Sequence, residues 1–175
     1  MELERRWKLN SFDDVPQNNI KAILHIIQTY ANFNPDVRIR STENITNNNV
    51  PNPEIEYSHC VKYFMKSNER EEIEQTISIE QYNRIFKYID KTPVEKDRYV
   101  VQLNDGFIAE VDMFEDIDKL VVEVEFQDNE TMYKFIAPDW FGEEIKENKS
   151  YSAKIFKALN NKNFEFELLS LKYSL

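Results

Sequence analysis

A chain of 175 residues, 41% hydrophobic and 13% aromatic, suits one domain (residues 1–175) with a substantial core and is too apolar for disorder. With Gly106 and Gly142 as its only glycines it excludes glycine-rich phosphate loops, and a formal net charge of −10 argues against general nucleic-acid binding, which demands a positive surface. A lone cysteine (Cys60) gives no disulfide framework, His25 and His59 form no zinc-binding spacing, and no apolar run reaches membrane-spanning length, so a cytoplasmic protein without nucleic-acid or membrane partners is expected.

In chain order, residues 2–9 read as a strand. Val15 to Leu24 reads as a helix opening at Pro16, followed by strands at 25–31 and 36–42. The stretch from Glu43 to Glu56, rich in asparagine and carrying Pro51 and Pro53, reads as a long loop. Strands are predicted at 57–66 and 70–78. Ile79, Tyr82, Ile85, Phe86 and Ile89 then follow the 3.6-residue period of an amphipathic helix, with Ser78 and Gln81 as its capping box. Residues 95–103 and 107–114 form a hairpin across Asn104-Asp105-Gly106, and 120–126 another strand. Asp128 caps a helix running to about Ile136 before Pro138, a last helix covers 151–159, and Phe164 to Tyr173 reads as a strand.

Charge recurs at every second position along several of these strands. Glu2, Glu4 and Arg6 are followed by Arg38 and Arg40, Lys62 and Lys66, Glu72 and Glu74, Lys96 and Arg98, Glu110 and Asp112, and Glu123 and Glu125. Residues two apart share a face of a strand, so one sheet face is apolar and the other carries both signs. Alternation ordinarily means a solvated face. Here like charges crowd together, and the helices carry apolar faces that need a sheet to cover, which turns the charges toward a lumen. Enclosed like charges persist with counter-ions, so metal and polyanion are the natural occupants.

The same residues resemble a known family. Glu2-Leu3-Glu4-Arg5-Arg6 is similar to the ExExK signature that opens the triphosphate tunnel metalloenzymes, the CYTH superfamily. Val37-Arg38-Ile39-Arg40, Phe64-Met65-Lys66-Ser67, Glu72-Ile73-Glu74 and Glu95-Lys96-Asp97-Arg98-Tyr99 resemble its successive charged strands. Ala109 to Phe114, Val122 to Phe126 and Ala137 to Glu144 continue the likeness in order, ahead of Tyr151 and Lys154. The resemblance implies an α+β, mainly β fold: an eight-stranded antiparallel closed tunnel with helices packed outside.

It further implies divalent-metal-dependent hydrolysis of a triphosphate, inorganic tripolyphosphate or an organic one, within the tunnel. Glu2, Glu4, Arg6, Glu123 and Glu125 are then the expected catalytic group. Arg38, Arg40, Lys66, Lys96, Arg98 and Lys154 would grip phosphate oxygens. Glu2, Glu4, Glu110, Asp112, Glu123 and Glu125 would supply oxygen ligands for Mg²⁺ or Mn²⁺. Lys62 is expected at the surface. Arg6 stands where the family carries lysine, and arginine has no lone pair with which to act as a base. Relatives that cyclise ATP to cyclic AMP, and a polyphosphate-binding module without turnover, are the alternatives. The sequence offers no argument for an oligomeric state.

Overall fold

The computed structural model describes residues 2–47, 53–64, 69–117, 119–146 and 150–161. Nine strands and three helices follow in the order β1 (Glu2–Leu9), β2 (Ile20–Asn32), β3 (Asp36–Asn44), β4 (Ile55–Phe64), β5 (Glu69–Thr76), α1 (Ile79–Ile89), β6 (Val94–Gln102), β7 (Ile108–Phe114), β8 (Leu120–Phe126), α2 (Asn129–Lys134), β9 (Glu144–Ile145) and α3 (Tyr151–Leu159). They form one antiparallel sheet in the order β5-β4-β3-β2-β6-β7-β8-β1-β9. The sheet curls until β1 meets β5 through Glu2↔Arg70 and Leu3↔Glu69. The expected eight strands are thus nine in a mainly β, α+β fold, and the described contact between β1 and β5 spans two residue pairs.

Two expectations are corrected. The helix predicted from Val15 to Leu24 is instead a pair of short 3₁₀ turns, Phe12–Asp14 and Gln17–Asn19, leading into the 13-residue strand β2. The β-branched Ile20, Ile23, Ile26 and Ile27 suit a strand, and β2 pairs with β6 over Ile20–Gln28 and with β3 over Leu24–Asn32, so tertiary context overrides the apparent helical period. The short strand β9 was not foreseen; it pairs with β1 at Arg6↔Ile145 and Trp7↔Glu144. The strand predicted from Phe164 to Tyr173 lies outside the described residues. The helix at 79–89 and its Ser78–Gln81 capping box agree with the sequence reading.

The two faces of the sheet have separate cores. Outside β1 and β6–β8, Leu3, Trp7, Val101, Val111, Val122, Val124 and Phe126 pack with Met132, Phe135 and Phe141. Trp7 sits 4.9 Å from Phe141 and 5.6 Å from Phe135 between ring centroids. Arg5 ties this layer together. Its guanidinium forks onto Glu144 at 2.7 and 2.9 Å and donates to the Met132 and Phe135 carbonyls, satisfying groups at the C-terminal end of α2. Inside, one end of the curled sheet is apolar: Tyr30, Val94, Phe114, Ile117 and Val121 pack against Tyr151, Ala153, Ile155 and Phe156 of α3. Most of the charged strand residues share that face with the uncharged Leu24, Ile26 and Gln28 of β2.

Gly142 fixes the crossing of the 135–146 segment over β1. Its amide donates to the Lys8 carbonyl at 2.8 Å, and a Cβ built there would lie 2.8 Å from the same oxygen. Gly142→Ala is therefore expected to cost about 1–3 kcal/mol as this contact is forced apart. Chemical denaturation measures it, and unchanged stability would mean that the segment shifts without loss.

Candidate functional site

Because cross-strand partners point to the same side of a sheet, the register decides which charges meet. On the inner face Glu4 lies opposite Glu125, Arg6 opposite Glu123, and Glu110 opposite Glu123. Lys96 and Arg98 on β6 are opposite Phe114 and Asp112 on β7, while Lys62 on β4 is opposite Glu72 on β5. Curling brings these strands around one cavity of about 430 Å³. Its lining includes Glu4, Arg6, Arg38, Arg40, Lys62, Glu72, Glu74, Lys96, Arg98, Glu110, Glu123 and Glu125, with Ser150 and Ser152 from the start of α3.

Arg98 organises one wall. Its guanidinium donates to both Asp112 oxygens, at 2.6 and 2.8 Å, to Glu123 at 3.2 Å and to Glu110. Lys96 also bonds Asp112, and Arg6 bonds Glu123 at 2.6 Å and Glu4. On the opposite wall Arg38 and Lys62 each reach Glu72 at 3.1 Å, and Lys62 lies 3.8 Å from Glu4. Ser58 donates to Glu74 at 2.7 Å. Glu72 and Glu74 thus pair within the cavity wall.

Burial and neighbouring charge set the protonation states. Burial disfavours the Glu123 anion, yet Arg6, Arg98 and Lys96 hold its carboxyl well below the ordinary range. Asp112 behaves alike: burial opposes its charge, and Arg98 and Lys96 prevail. The Lys96 ammonium is pushed down to about 8 by burial and by Arg98, with Asp112 pulling the other way.

Arg40 differs from these. It lines the cavity, yet makes no hydrogen bond or ion pair among the described residues, and its Nε is buried without a partner. Burial, then Arg38, then Arg98 push it down to about 10. Glu74 draws it the other way without a bond, and a guanidinium repelled by two others and bonded to no carboxylate among the described residues favours an anion in the cavity.

Among the described residues the lining carries six cationic and six acidic side chains. Such a balanced wall suits a polyanion that arrives with a cation better than a bare polyanion. The donor set fits a hard divalent ion. Glu4 and Glu125 face each other across β1 and β8, as Glu110 and Glu123 do across β7 and β8, and like charges directly opposite are stabilised by a cation between them.

Most of the residues singled out in the sequence meet in this cavity. Asp112 is buried behind it, engaged by Lys96 and Arg98. Lys154 is not among the lining residues; its ammonium lies 5.8 Å from the Tyr151 ring centroid. Glu2 is on β1 with its side chain outside the described set, and Lys66 lies outside the described residues. Lys62, expected at the surface, is 7% exposed and faces the cavity, a correction that its register with Glu72 explains. Ser150, Ser152, Gln28 and Tyr30 were not foreseen. Gln28 donates to the Tyr30 hydroxyl at 2.8 Å, and Tyr30 packs with Tyr151 and Phe156, linking β2 to α3. Among the described residues no helix is long and apolar enough to cross a membrane.

No protein-family model matches the chain. Over 87 residues, 49% of its length, it is 38% identical to the inorganic triphosphatase of Nitrosomonas europaea, and the match spans 58% of that relative, less than two-thirds of it. The solved structure of the inorganic triphosphatase NE1496 is 27% identical, with a TM-score of 0.55 over 96% of this chain and 95% of that one. The PH1012 protein of Pyrococcus horikoshii OT3 has a TM-score of 0.57 over 92% of this chain and 100% of its own; at 19% identity it speaks for the fold alone.

Proposed function

We propose that the chain is a member of the triphosphate tunnel (CYTH) superfamily and a divalent-metal-dependent triphosphatase acting on inorganic tripolyphosphate or an organic triphosphate, a reading supported by its likeness to the inorganic triphosphatase of Nitrosomonas europaea. The observation that carries the reading is Arg40, a half-buried cation with an enclosed Nε and no bonded carboxylate among the described residues, in a cavity where the other described cations are paired. Closure of the curled sheet into a continuous tunnel is part of the same proposal.

Phosphoryl transfer depends chiefly on positioning and on stabilising charge over the phosphate oxygens. Arg38, Arg40 and Arg98 offer guanidinium forks from β3 and β6, and Lys62 and Lys96 add point charges. Lys66 and Lys154 join them on sequence grounds. Glu4, Glu123 and Glu125, with Glu2 and Glu110, would hold Mg²⁺ or Mn²⁺. A bound ion there would supply charge neutralisation and a more acidic water. Arg6, bonded to Glu4 and Glu123, fixes two of these carboxylates. It does so as a permanent cation, so the role of proton acceptor falls to a carboxylate.

The test is phosphate release from tripolyphosphate and from ATP with Mg²⁺ or Mn²⁺, with chromatography of the nucleotide products. Metal-dependent phosphate release from tripolyphosphate, abolished by a chelator, is the expected result. Cyclic AMP and pyrophosphate from ATP would reassign the protein as a cyclase. Binding of tripolyphosphate without any product would make it a receptor.

A further inference from the structure

Outside the cavity, the outer face of β2 and β6 brings together a second group of donors. His25 lies directly opposite Asp97, and Glu95 is two residues from Asp97 on the same face. Glu115 follows β7, and its amide donates to the Glu95 carbonyl at 3.1 Å, which holds the two residues side by side. One donor atom from each of His25, Glu95 and Glu115 lies within 4.8 Å of the others. Asp97 Oδ1 is 2.9 Å from His25 Nδ1.

The charge around this group is one-sided. In the cavity wall Glu72, Glu110 and Glu123, and Asp112 behind it, are bonded to arginine or lysine. Among the described residues, neither Glu95 nor Glu115 has such a partner, and a carboxylate oxygen of one lies within 4.8 Å of a carboxylate oxygen of the other. Burial first, then Glu115, then Asp116 among the facing groups raise the Glu95 carboxyl, and His25 works in the opposite direction. Two carboxyls this close favour a shared proton or cation between them. The His25 imidazole adds a nitrogen donor to the two carboxylates, a mixed set that suits a transition metal.

We propose that His25, Glu95 and Glu115 form a divalent transition-metal site on the outer face of the sheet, with Asp97 orienting the imidazole. The single nitrogen donor separates this site from the all-oxygen set in the cavity. Imidazole favours Zn²⁺ or Co²⁺ over Mg²⁺. A carboxylate on the other ring nitrogen is the usual partner of a metal-bound histidine, since it fixes the tautomer and ring orientation. Water completes the coordination. The ion ties the end of β7 to the β2–β6 pair, and so acts on stability rather than on triphosphate chemistry. The donors are dispersed along the chain, and no spacing motif announces them.

Titration of the whole protein with Co²⁺, followed by visible absorption and calorimetry, tests the site. With excess Mg²⁺ holding the cavity carboxylates, wild type is expected to bind one equivalent of Co²⁺ with bands that Zn²⁺ abolishes. His25→Ala should lose that equivalent, and Asp97→Asn should weaken it about 10–100-fold. Glu125→Gln, within the cavity, should retain it. The melting temperature of wild type, but not of His25→Ala, should rise with Zn²⁺. Tripolyphosphate turnover by His25→Ala should equal wild type, so failure here is separable from failure of the triphosphatase reading. An unchanged Co²⁺ titration in His25→Ala, or its loss in Glu125→Gln, would overturn the proposal.

Discussion

Replacing Arg40 with alanine is expected to lower tripolyphosphate turnover about 10²–10³-fold, the loss that follows removal of one preorganised donor from developing oxyanion charge. It should do so without loss of stability. Arg40 makes no hydrogen bond or ion pair among the described residues and is pushed down to about 10 by burial and by Arg38 and Arg98, so the unliganded fold gives up little when it goes. Relief of that repulsion is expected to leave the melting temperature equal or higher. Arg40→Lys keeps a charge but loses the planar fork, and should fall between wild type and alanine. Arg98 is the contrasting case: Glu110, Asp112 and Glu123 depend on it, and its removal should cost fold and activity together. Turnover and denaturation on the same Arg40→Ala sample decide the matter. Parallel losses in both would make Arg40 a structural cation and remove the chief support for an anion in the cavity.

That distinction between paired and unpaired cations is where the sequence stops being informative. Alternation by two identified the faces of β1, β3 and β5–β8, because their inner faces carry the recurring charged pairs. It failed on β2, whose inner face carries Leu24, Ile26, Gln28 and Tyr30: no charge marks the period, and burial on both faces makes the strand look like a helix. Lys62 was misjudged for a related reason. Its inner-face neighbours Ser58 and Cys60 are uncharged, and the signal lies in the register with Glu72, which links two strands. Lys154 shows the converse. A lysine at a family-like spacing on α3 is not among the residues lining the cavity, whereas Ser150 and Ser152, which nothing in the alternation marks, are. Helix rotation is set by the apolar plug of Ile155 and Phe156 against Val94, Phe114 and Val121, and no local pattern contains that packing.

Asp112→Asn is expected to destabilise the protein by about 3 kcal/mol, at the lower end of the cost of breaking a buried ion pair. Asp112 is 2% exposed and serves two cations, Lys96 and Arg98. An amide in its place leaves both under-neutralised. Lys96 offers a partial escape: already held down to about 8, it should shed its proton near neutrality once the carboxylate is gone, which limits the loss. The pH dependence follows from the two shifts. The Asp112 carboxyl lies below its ordinary value when folded, so its contribution is present above the unfolded pKa of about 4 and is lost as acid protonates the folded form. Lys96 has the opposite history. Between about 8 and its unfolded pKa of about 10.4 the unfolded chain binds the extra proton, so stability from this group rises with pH across that window. Denaturant unfolding of wild type and variant from pH 3 to pH 10 should therefore give a difference that shrinks toward the acid end. In the variant the alkaline rise should begin below pH 8. A difference constant with pH would mean that Asp112 holds this wall by hydrogen bonding alone, with its charge contributing nothing.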